Sequence, residues 1–352
     1  MKLRVMAAMS GGVDSSAAAY LLREAGHEVV GLTMCLGVAA GAGAERTCCS
    51  PEDVEDARRV CRHLGIPHYV HDYSVEMEDL VISDFTGEYA RGRTPNPCVR
   101  CNRYLKFGAL LDRARSLGFD ALATGHYVKV VDSGAGHELH RARDITKDQS
   151  YFLYAIGAEN LKHLQFPLAD YKKDQVREIA RRAGLPVAEK HESQDICFIP
   201  TGGCESFFRS RNMDVRPGQI VDSSGVRIGT HRGFMLYTIG QRRGLGIGGA
   251  GALYVIGIDA GGNRIIAGGR DELRSRGLIA GDVRLFAGRV PARATVKIRY
   301  AGPDMPCAAR YDGTSLEIIF DEPAEAVTPG QSAVLYDGDR VIGGGIIEKV
   351  IK

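Results

Sequence analysis

The chain has 352 residues, with 45 Lys and Arg against 43 Asp and Glu, and is 44% hydrophobic and 25% charged, with 44 glycines, nine cysteines and no tryptophan. That composition excludes a disordered or collagen-like chain, and the length predicts two or three domains, each able to bury a core. No apolar run approaches the roughly 18 residues of a membrane span, and an odd cysteine count without a secretory signal argues against a disulfide framework, so no membrane association and a cytoplasmic location are expected.

Leu3–Met9 predicts a first strand, which runs into the turn Ser10-Gly-Gly-Val-Asp-Ser-Ser16 and then a helix over Ala17–Ala25. Glu28–Met34 is the next expected strand. Ser50 and Pro51 have the pattern of an N-cap and first helical residue, and Val54, Ala57, Val60, Cys61 and Leu64 recur at helical spacing before Gly65. Pro67–Tyr73 predicts a third strand and Thr94–Asn102 a stiff, Pro-bracketed loop. Phe107–Leu117 follows as a helix stopped by Gly118, then Ala121–Thr124 as a fourth strand ending at Gly125-His126. Strand–helix repetition of this kind predicts an α/β fold, a parallel sheet covered by helices on both faces. Ligands then bind beyond the carboxyl ends of the strands, where Ser10–Ser16, Met34 and Gly125-His126 fall.

After residue 200 the chain turns rich in Gly, Val, Ile and Arg, with little helix signal over 206–274. Val283–Phe286, Ala294–Tyr300, Leu316–Phe320, Ser332–Tyr336 and Gly345–Ile351 predict at least five strands of a small barrel or sandwich. The expected domains are a catalytic α/β domain over 1–204, a small central domain over 205–274 and a C-terminal β-barrel over 275–352. Acids dominate 45–85, whereas 86–130 and 206–250 are basic; from charge alone these are solvated faces.

Ser10-Gly-Gly-Val-Asp-Ser15, after a strand and before a helix, has the makings of a phosphate site. Its glycines let backbone N–H groups approach an anion, the helix N-terminus adds more donors, and the serines add hydroxyls. Asp14 would repel phosphate unless a cation intervenes, which makes it a candidate Mg²⁺ contact or, more simply, a helix cap. No Gly-Lys pair occurs, so this is no Walker A loop. Gly246-Ile-Gly-Gly-Ala-Gly251 matches a dinucleotide fingerprint in letters only, because a strand-like segment, Ala252–Ile258, follows it.

Cys98-Val-Arg-Cys101 is a Cys-x-x-Cys pair beside Arg100 and Arg103, which favour thiolate, and Ser193-Gln-Asp-Ile-Cys197-Phe supplies a third thiol in a polar setting. Cys35, Cys61, Cys204 and Cys307 read as small buried hydrophobes. A structural zinc would need a fourth ligand from Cys48, Cys49 or a histidine.

The Ser10–Ser15 turn resembles the SGGxDS loop of the PP-loop pyrophosphatases, which cleave ATP to AMP and pyrophosphate. Met9–Ser16, the segment 96–102, Lys147-Asp-Gln-Ser-Tyr-Phe152, Ser193–Phe198, Thr238–Gly246 and Gly343–Ile347 together resemble the tRNA-specific 2-thiouridylase family across essentially the whole chain. The resemblance implies a PP-loop (adenine nucleotide alpha hydrolase-like) domain, a central domain and a β-barrel. The implied activity, that of a tRNA-uridine 2-sulfurtransferase, replaces the C2 oxygen of the tRNA wobble uridine with sulfur at the expense of ATP with Mg²⁺. Position by position, it places ATP on Ala8, Met9, Ser10, Gly11, Gly12, Val13, Asp14, Ser15, Met34 and Gly125. It places tRNA on Asn96, His126, Lys147, Asp148, Gln149, Arg299, Tyr300 and Gln331. It further implies Cys101 as nucleophile, Cys197 as persulfide carrier, a transient Cys101–Cys197 disulfide, and a sulfur-donor protein such as a cysteine desulfurase or sulfur-relay protein.

Where many members carry Asp, this chain has Cys98. Cys98, Cys101 and Cys197 would supply three thiolates to a 4Fe–4S cluster with one open iron, so a cluster-bound hydrosulfide is expected to compete with a persulfide on Cys197. Cys48 and Cys49 stay unassigned. Arg242-Arg243 is suited to the tRNA backbone. In isolation Lys147 and Asp148 would be a surface ion pair; beside the other motifs they join the RNA set. An adenylating PP-loop synthetase of small molecules explains the nucleotide loop but neither the cysteines nor the basic segments. A non-enzymatic RNA- or metal-binding protein leaves the loop without a purpose.

Overall fold

The computed structural model describes residues 1–37, 51–191, 196–200, 202–248 and 251–352. They form two compact units, Met1–Val81 with Cys98–Thr201 and Asp339–Val341, and Ile82–Pro97 with Gly202–Gly338 and Ile342–Lys352. Ser50, Cys48, Cys49 and Ser193–Asp195, singled out in the sequence, lie outside the described residues.

In chain order the first unit begins β1 (Arg4–Ala8), α1 (Val13–Glu24), β2 (Glu28–Cys35), α2 (Pro51–Leu64), β3 (His68–Asp72) and α3 (Ser74–Met77). α4 (Ser83–Ala90) belongs to the second unit. Then come α5 (Pro97–Arg100), α6 (Leu110–Ser116), β4 (Ala121–Ala123), the hairpin β5 (Val128–Asp132) and β6 (His137–Arg141), β7 (Leu164–Gln165) and α7 (Lys173–Arg182). The sheet order is β3-β2-β1-β4-β7, with parallel pairing at each step. The chain therefore winds outward from β1 to β3 and returns on the other side, which puts the switch point between β1 and β4.

β1 is apolar throughout its centre because helices cover both faces; Val5, Met6 and Ala7 are buried. α1 is alanine-rich for the same reason. Ala19 and Leu22 pack with Val5, Val29, Val60 and Leu64, while Ala17 and Ala18 pack with Tyr127, Leu168 and Val176. Small side chains on both faces let this helix lie close to the sheet and to α7. Each fully buried Val or Leu contributes about 1.5–3 kcal/mol.

The expected loop over Thr94–Asn102 is only partly a loop. Pro97 occupies the first position of α5, where its fixed φ and missing N–H cost nothing. The helical path continues as a π-helix over Cys101–Ala109 and then as α6, so the helix expected from Phe107 starts ten residues earlier, at Pro97. π-helices are rare and often mark functional sites.

In the second unit α8 (Gly203–Ser210) is a helix that the sequence did not announce; Phe207 and Phe208 bury against Phe85, with ring centroids 5.9 and 6.1 Å away. β8 (Gly218–Val221), β9 (Arg227–His231), β10 (Tyr254–Asp259) and β11 (Arg264–Gly268) form a sheet in the order β10-β11-β8-β9. The dinucleotide look-alike leads into β10 and no helix. The remaining strands are β12 (Arg274–Leu285), β13 (Arg293–Lys297), β14 (Met305–Tyr311), β15 (Leu316–Glu325), β16 (Ser332–Asp337) and β17 (Arg340–Ile351). They run β12-β15-β14-β13-β16-β17, and β12 also pairs with β17, which closes a barrel and leaves these strands no open edge. β15 shows the required alternation: Leu316, Ile318 and Phe320 face a core shared with Leu278, Val296 and Leu335, while Glu317, Ile319 and Asp321 are exposed.

Candidate functional site

The Ser10–Ser15 turn joins the end of β1 to the first turn of α1. Gly11 takes φ +72°, and a side chain there would overlap the Asp53 carbonyl at the start of α2. Only glycine fits both demands. Ser15 Oγ donates to the Gly12 carbonyl at 3.1 Å and accepts from Ser10 N at 3.2 Å, and it lies 3.1 Å from Ser10 Oγ. Ser16 Oγ donates to the same carbonyl at 2.8 Å. Beyond β4, Gly125 closes on this turn; a β-carbon there would stand 2.7 Å from Asp14 C and Ser15 N. The switch point thus brings Ala8–Ser15 and Gly125 together, and Met34 lies one residue before the end of β2, the strand next to β1. Backbone N–H groups, hydroxyls and a helix N-terminus converge there, an arrangement that receives phosphate.

Two lysines that sequence reasoning missed complete the turn. Lys173, buried at the start of α7, places Nζ 2.7 and 2.8 Å from the two carboxylate oxygens of Asp14. Tyr127 Oη donates to the same carboxylate at 2.9 Å. Asp14 is therefore no helix cap; it is held by a cation and a phenol. Lys190 Nζ reaches Asp53 at 2.7 Å, Asp56 at 2.5 Å and the Gly11 carbonyl at 3.1 Å. Burial opposes ionisation of Asp56, but Lys190 and Arg59 outweigh it and its carboxyl titrates below the ordinary range. Burial likewise opposes charge on Lys190, and Asp53 and Asp56 reverse that, pushing its pKa up.

Among the cysteines, Cys98 is exposed, Cys101 is buried at the head of the π-helix, and Cys197 is half-buried. Arg100 and Arg103 both gather around Tyr104, with guanidinium carbons 5.7 and 4.7 Å from its ring centroid. Asn102, one residue after Cys101, is buried; its Nδ2 donates to the Phe152 carbonyl at 3.1 Å while Oδ1 has no partner among the described residues. Among the described residues no group of three or more His, Cys, Asp or Glu side chains is placed to hold a metal ion. A cluster needs three thiolates converging on one centre, and Cys98, Cys101 and Cys197 do not form such a group, so the expected 4Fe–4S cluster finds no support here. Burial pushes the Cys61 thiol up to about 12 and Cys307 up to about 11, as inert core thiols require.

Of the residues expected to meet RNA, His126 lies beside Phe107 and Phe166, ring centroids 5.7 and 6.4 Å away, with Nδ1 2.7 Å from Thr124 Oγ1. Burial, and then the Lys106 charge, hold its imidazole neutral, with a pKa well below the ordinary value. Asp148 is 5% exposed and accepts from Ala142 N at 3.0 Å and Ser150 Oγ at 2.6 Å. Burial raises its pKa. Its carboxylate braces its own loop. Gln149 bonds Tyr127 through both its side-chain oxygen and its N–H, each at 2.9 Å, and Lys147 is half-buried beside it.

Sequence comparison adds three matches in chain order: a tRNA methyl transferase HUP domain over 3–201, a tRNA methyl transferase PRC-barrel domain over 206–269 and an aminomethyltransferase beta-barrel domain over 275–347. The tRNA-specific 2-thiouridylase MnmA 1 of Syntrophus aciditrophicus (strain SB) is 51% identical over 351 residues, covering 100% of this chain and 94% of its own. The chain belongs to the tRNA-specific 2-thiouridylase family. Two further 2-thiouridylases, from Geobacter metallireducens and Chloroflexus aggregans, are 47% and 48% identical over 98% of this chain and 96% and 98% of theirs.

The second unit holds the other residues that the 2-thiouridylase resemblance singled out. Gln331 Nε2 donates to the carbonyls of Thr94 at 2.9 Å and Pro95 at 3.4 Å, which anchors the approach to Asn96. Gly330, at φ +94°, is the only residue type that fits, since a β-carbon would sit 2.9 Å from the Thr94 carbonyl. Arg299 donates to the Glu325 carbonyl at 2.7 Å and lines a cavity of about 520 Å³ with Thr238, Gln241, Tyr254, Arg270 and Glu325. Tyr300 is exposed beside Lys297, and Arg242 and Arg243 are exposed. Among the described residues no helix is long and apolar enough to cross a membrane.

Proposed function

We propose that this chain is a tRNA-uridine 2-sulfurtransferase that thiolates the wobble uridine at C2 and converts ATP to AMP and pyrophosphate. The observation that carries the reading is the Ser10–Ser15 turn at the β1–β4 switch point, closed by Gly125 and sharing one compact unit with Cys101 and Cys197. Backbone N–H groups of Gly11–Ser15 and the Ser10 and Ser15 hydroxyls bind the phosphates. The Asp14 carboxylate suits a hard cation, since Mg²⁺ is usually held by one or two carboxylates together with phosphate oxygens. Bound there, Mg²⁺ would neutralise phosphate charge.

The uridine O2 attacks the α-phosphorus of ATP, and the α–β anhydride bond breaks to release pyrophosphate. Oxygen at C2 is then attached to a good leaving group. The terminal sulfur of a persulfide on Cys197 attacks C2. The Cys101 thiolate attacks Cys197 Sγ, the S–S pair leaves on the transferred sulfur, and a Cys101–Cys197 disulfide forms while AMP departs with the C2–O electrons. A thiol reductant restores both cysteines, and a sulfur-donor protein reloads Cys197. The three cysteines do not fit a 4Fe–4S cluster as they are placed, and no step passes through one. His126, Lys147, Gln149, Asn96, Arg299, Tyr300 and Gln331 meet the tRNA, with the wobble base splayed out of its stack. The domains run 1–204, 205–274 and 275–352.

The test supplies tRNA, ATP and a persulfide donor, then measures pyrophosphate and 2-thiouridine in nuclease digests. Both are expected only with tRNA present. Equal ATP turnover without tRNA favours a small-molecule PP-loop synthetase, and tRNA binding without pyrophosphate leaves a binding protein.

A further inference from the structure

Lys190 belongs to none of the motifs named in the sequence, yet it touches the phosphate turn directly. Its ammonium contacts the Gly11 carbonyl at 3.1 Å, Asp53 at 2.7 Å and Asp56 at 2.5 Å, and Asp56 also pairs with Arg59. Two carboxylates balance two cations here, so this ammonium brings little net charge to a phosphate. What it brings is direction. The carbonyl of Gly11 and the N–H of Gly12 are one planar trans peptide and point opposite ways. Holding the carbonyl toward Lys190 turns the Gly12 N–H to the other side, where Ser10 Oγ lies 3.4 Å away. A Gly-Gly peptide has the least intrinsic resistance to rotating out of that plane.

We propose that Lys190 is the positioning residue of the phosphate turn. It fixes the Gly11–Gly12 peptide plane, so an incoming phosphate meets the Gly12 N–H and not the Gly11 carbonyl oxygen. The inference rests on the ATP reading above.

The experiment compares Lys190→Met and Lys190→Arg with the wild type for tRNA-dependent pyrophosphate release, tRNA affinity and thermal stability. Lys190→Met is expected to raise KM for ATP about tenfold with tRNA affinity unchanged, and Lys190→Arg, which keeps donors and charge, to stay within about threefold of the wild type. A merely structural lysine would lower kcat and stability with KM for ATP unchanged, because fewer molecules would be folded; that result overturns the inference, as does an equal rise in KM for both variants. If Lys190→Met does not fold, Asp53→Asn removes one of the carboxylates holding the ammonium and is expected to raise KM for ATP about threefold, an unchanged KM overturning the inference. Failure of the wild type to release pyrophosphate at all defeats the ATP reading itself, and the inference with it.

Discussion

Lys173 Nζ sits between the two carboxylate oxygens of Asp14, 2.7 and 2.8 Å away, and so ties the first turn of α7 to the first turn of α1. Lys173 and Tyr127 therefore aim the carboxylate before nucleotide arrives. With Asp14 30% exposed, solvent screens part of the pair, and about 2 kcal/mol of transition-state stabilisation is at stake. Lys173→Met is expected to lower kcat/KM for ATP about 30-fold, and Asp14→Ala to abolish pyrophosphate release. A coupled pyrophosphate assay checks both, and unchanged release in Asp14→Ala would remove this carboxylate from the nucleotide site.

His126 gives the site an acid limit. Burial and Lys106 depress its folded pKa, so between that value and about 6.5 the unfolded chain binds more protons and stability rises with pH. The contribution is complete above about 6.5 and is lost as pH falls through that window, by up to about 1.4 kcal/mol per pH unit. His68 and His231 are depressed in the same direction and add to the slope. His126→Asn, which keeps a polar partner for Thr124, is expected to lose about 1 kcal/mol less than the wild type between pH 6.5 and pH 5.5. Urea unfolding at the two pH values measures it; equal losses would mean that His126 is charged in the folded chain.

How much of this was legible in the sequence depends on how local each feature is. β1, the Ser10–Ser15 turn and α1 were legible, because an apolar run, two glycines and a helix former are each set by near neighbours. Lys173 and Lys190 were not, since a lysine on or after an amphipathic helix looks like any solvated charge. Only the packing of α7 on α1 brings Lys173 to Asp14, across 159 residues of sequence. Thr94 to Asn102 read as a loop because of its two prolines, but Pro97 serves as a helix start, and a π-helix has no sequence signature. α8 was hidden by Gly202 and Gly203 and by its shortness, and β14 by Pro306 within it. Asp148 was half legible: a motif marks it for RNA, and only the packing shows its carboxylate bonded to Ala142 and Ser150.

Cys98 separates the two sulfur routes. It is exposed while Cys101 is buried, and the described residues gather no three-ligand group around them. Cys98→Ser is therefore expected to retain wild-type thiolation from a persulfide donor within about threefold, while Cys197→Ser stops it entirely. Iron and acid-labile sulfide, measured on anaerobically purified protein with a visible spectrum, provide a readout independent of activity. Stoichiometric iron that disappears with Cys98→Ser would establish the cluster and refute the thiol-only route.

Arg242 and Arg243 test where the RNA backbone lies. Both are exposed, and they follow Thr238 and Gln241, which line the same cavity as Arg299. Phosphate contacts release counterions, so each one adds about 0.7–0.9 to the slope of log affinity against log salt. Base contacts do not. The Arg242→Ala, Arg243→Ala double variant is expected to flatten that slope by about 1.5 and to weaken binding similarly for different tRNAs. A discriminating contact to a base would instead change the preference among tRNAs and leave the slope intact. Filter binding of two tRNAs across a salt series separates these outcomes, and an unchanged slope would move the phosphate track away from the Gly-rich segment before β10.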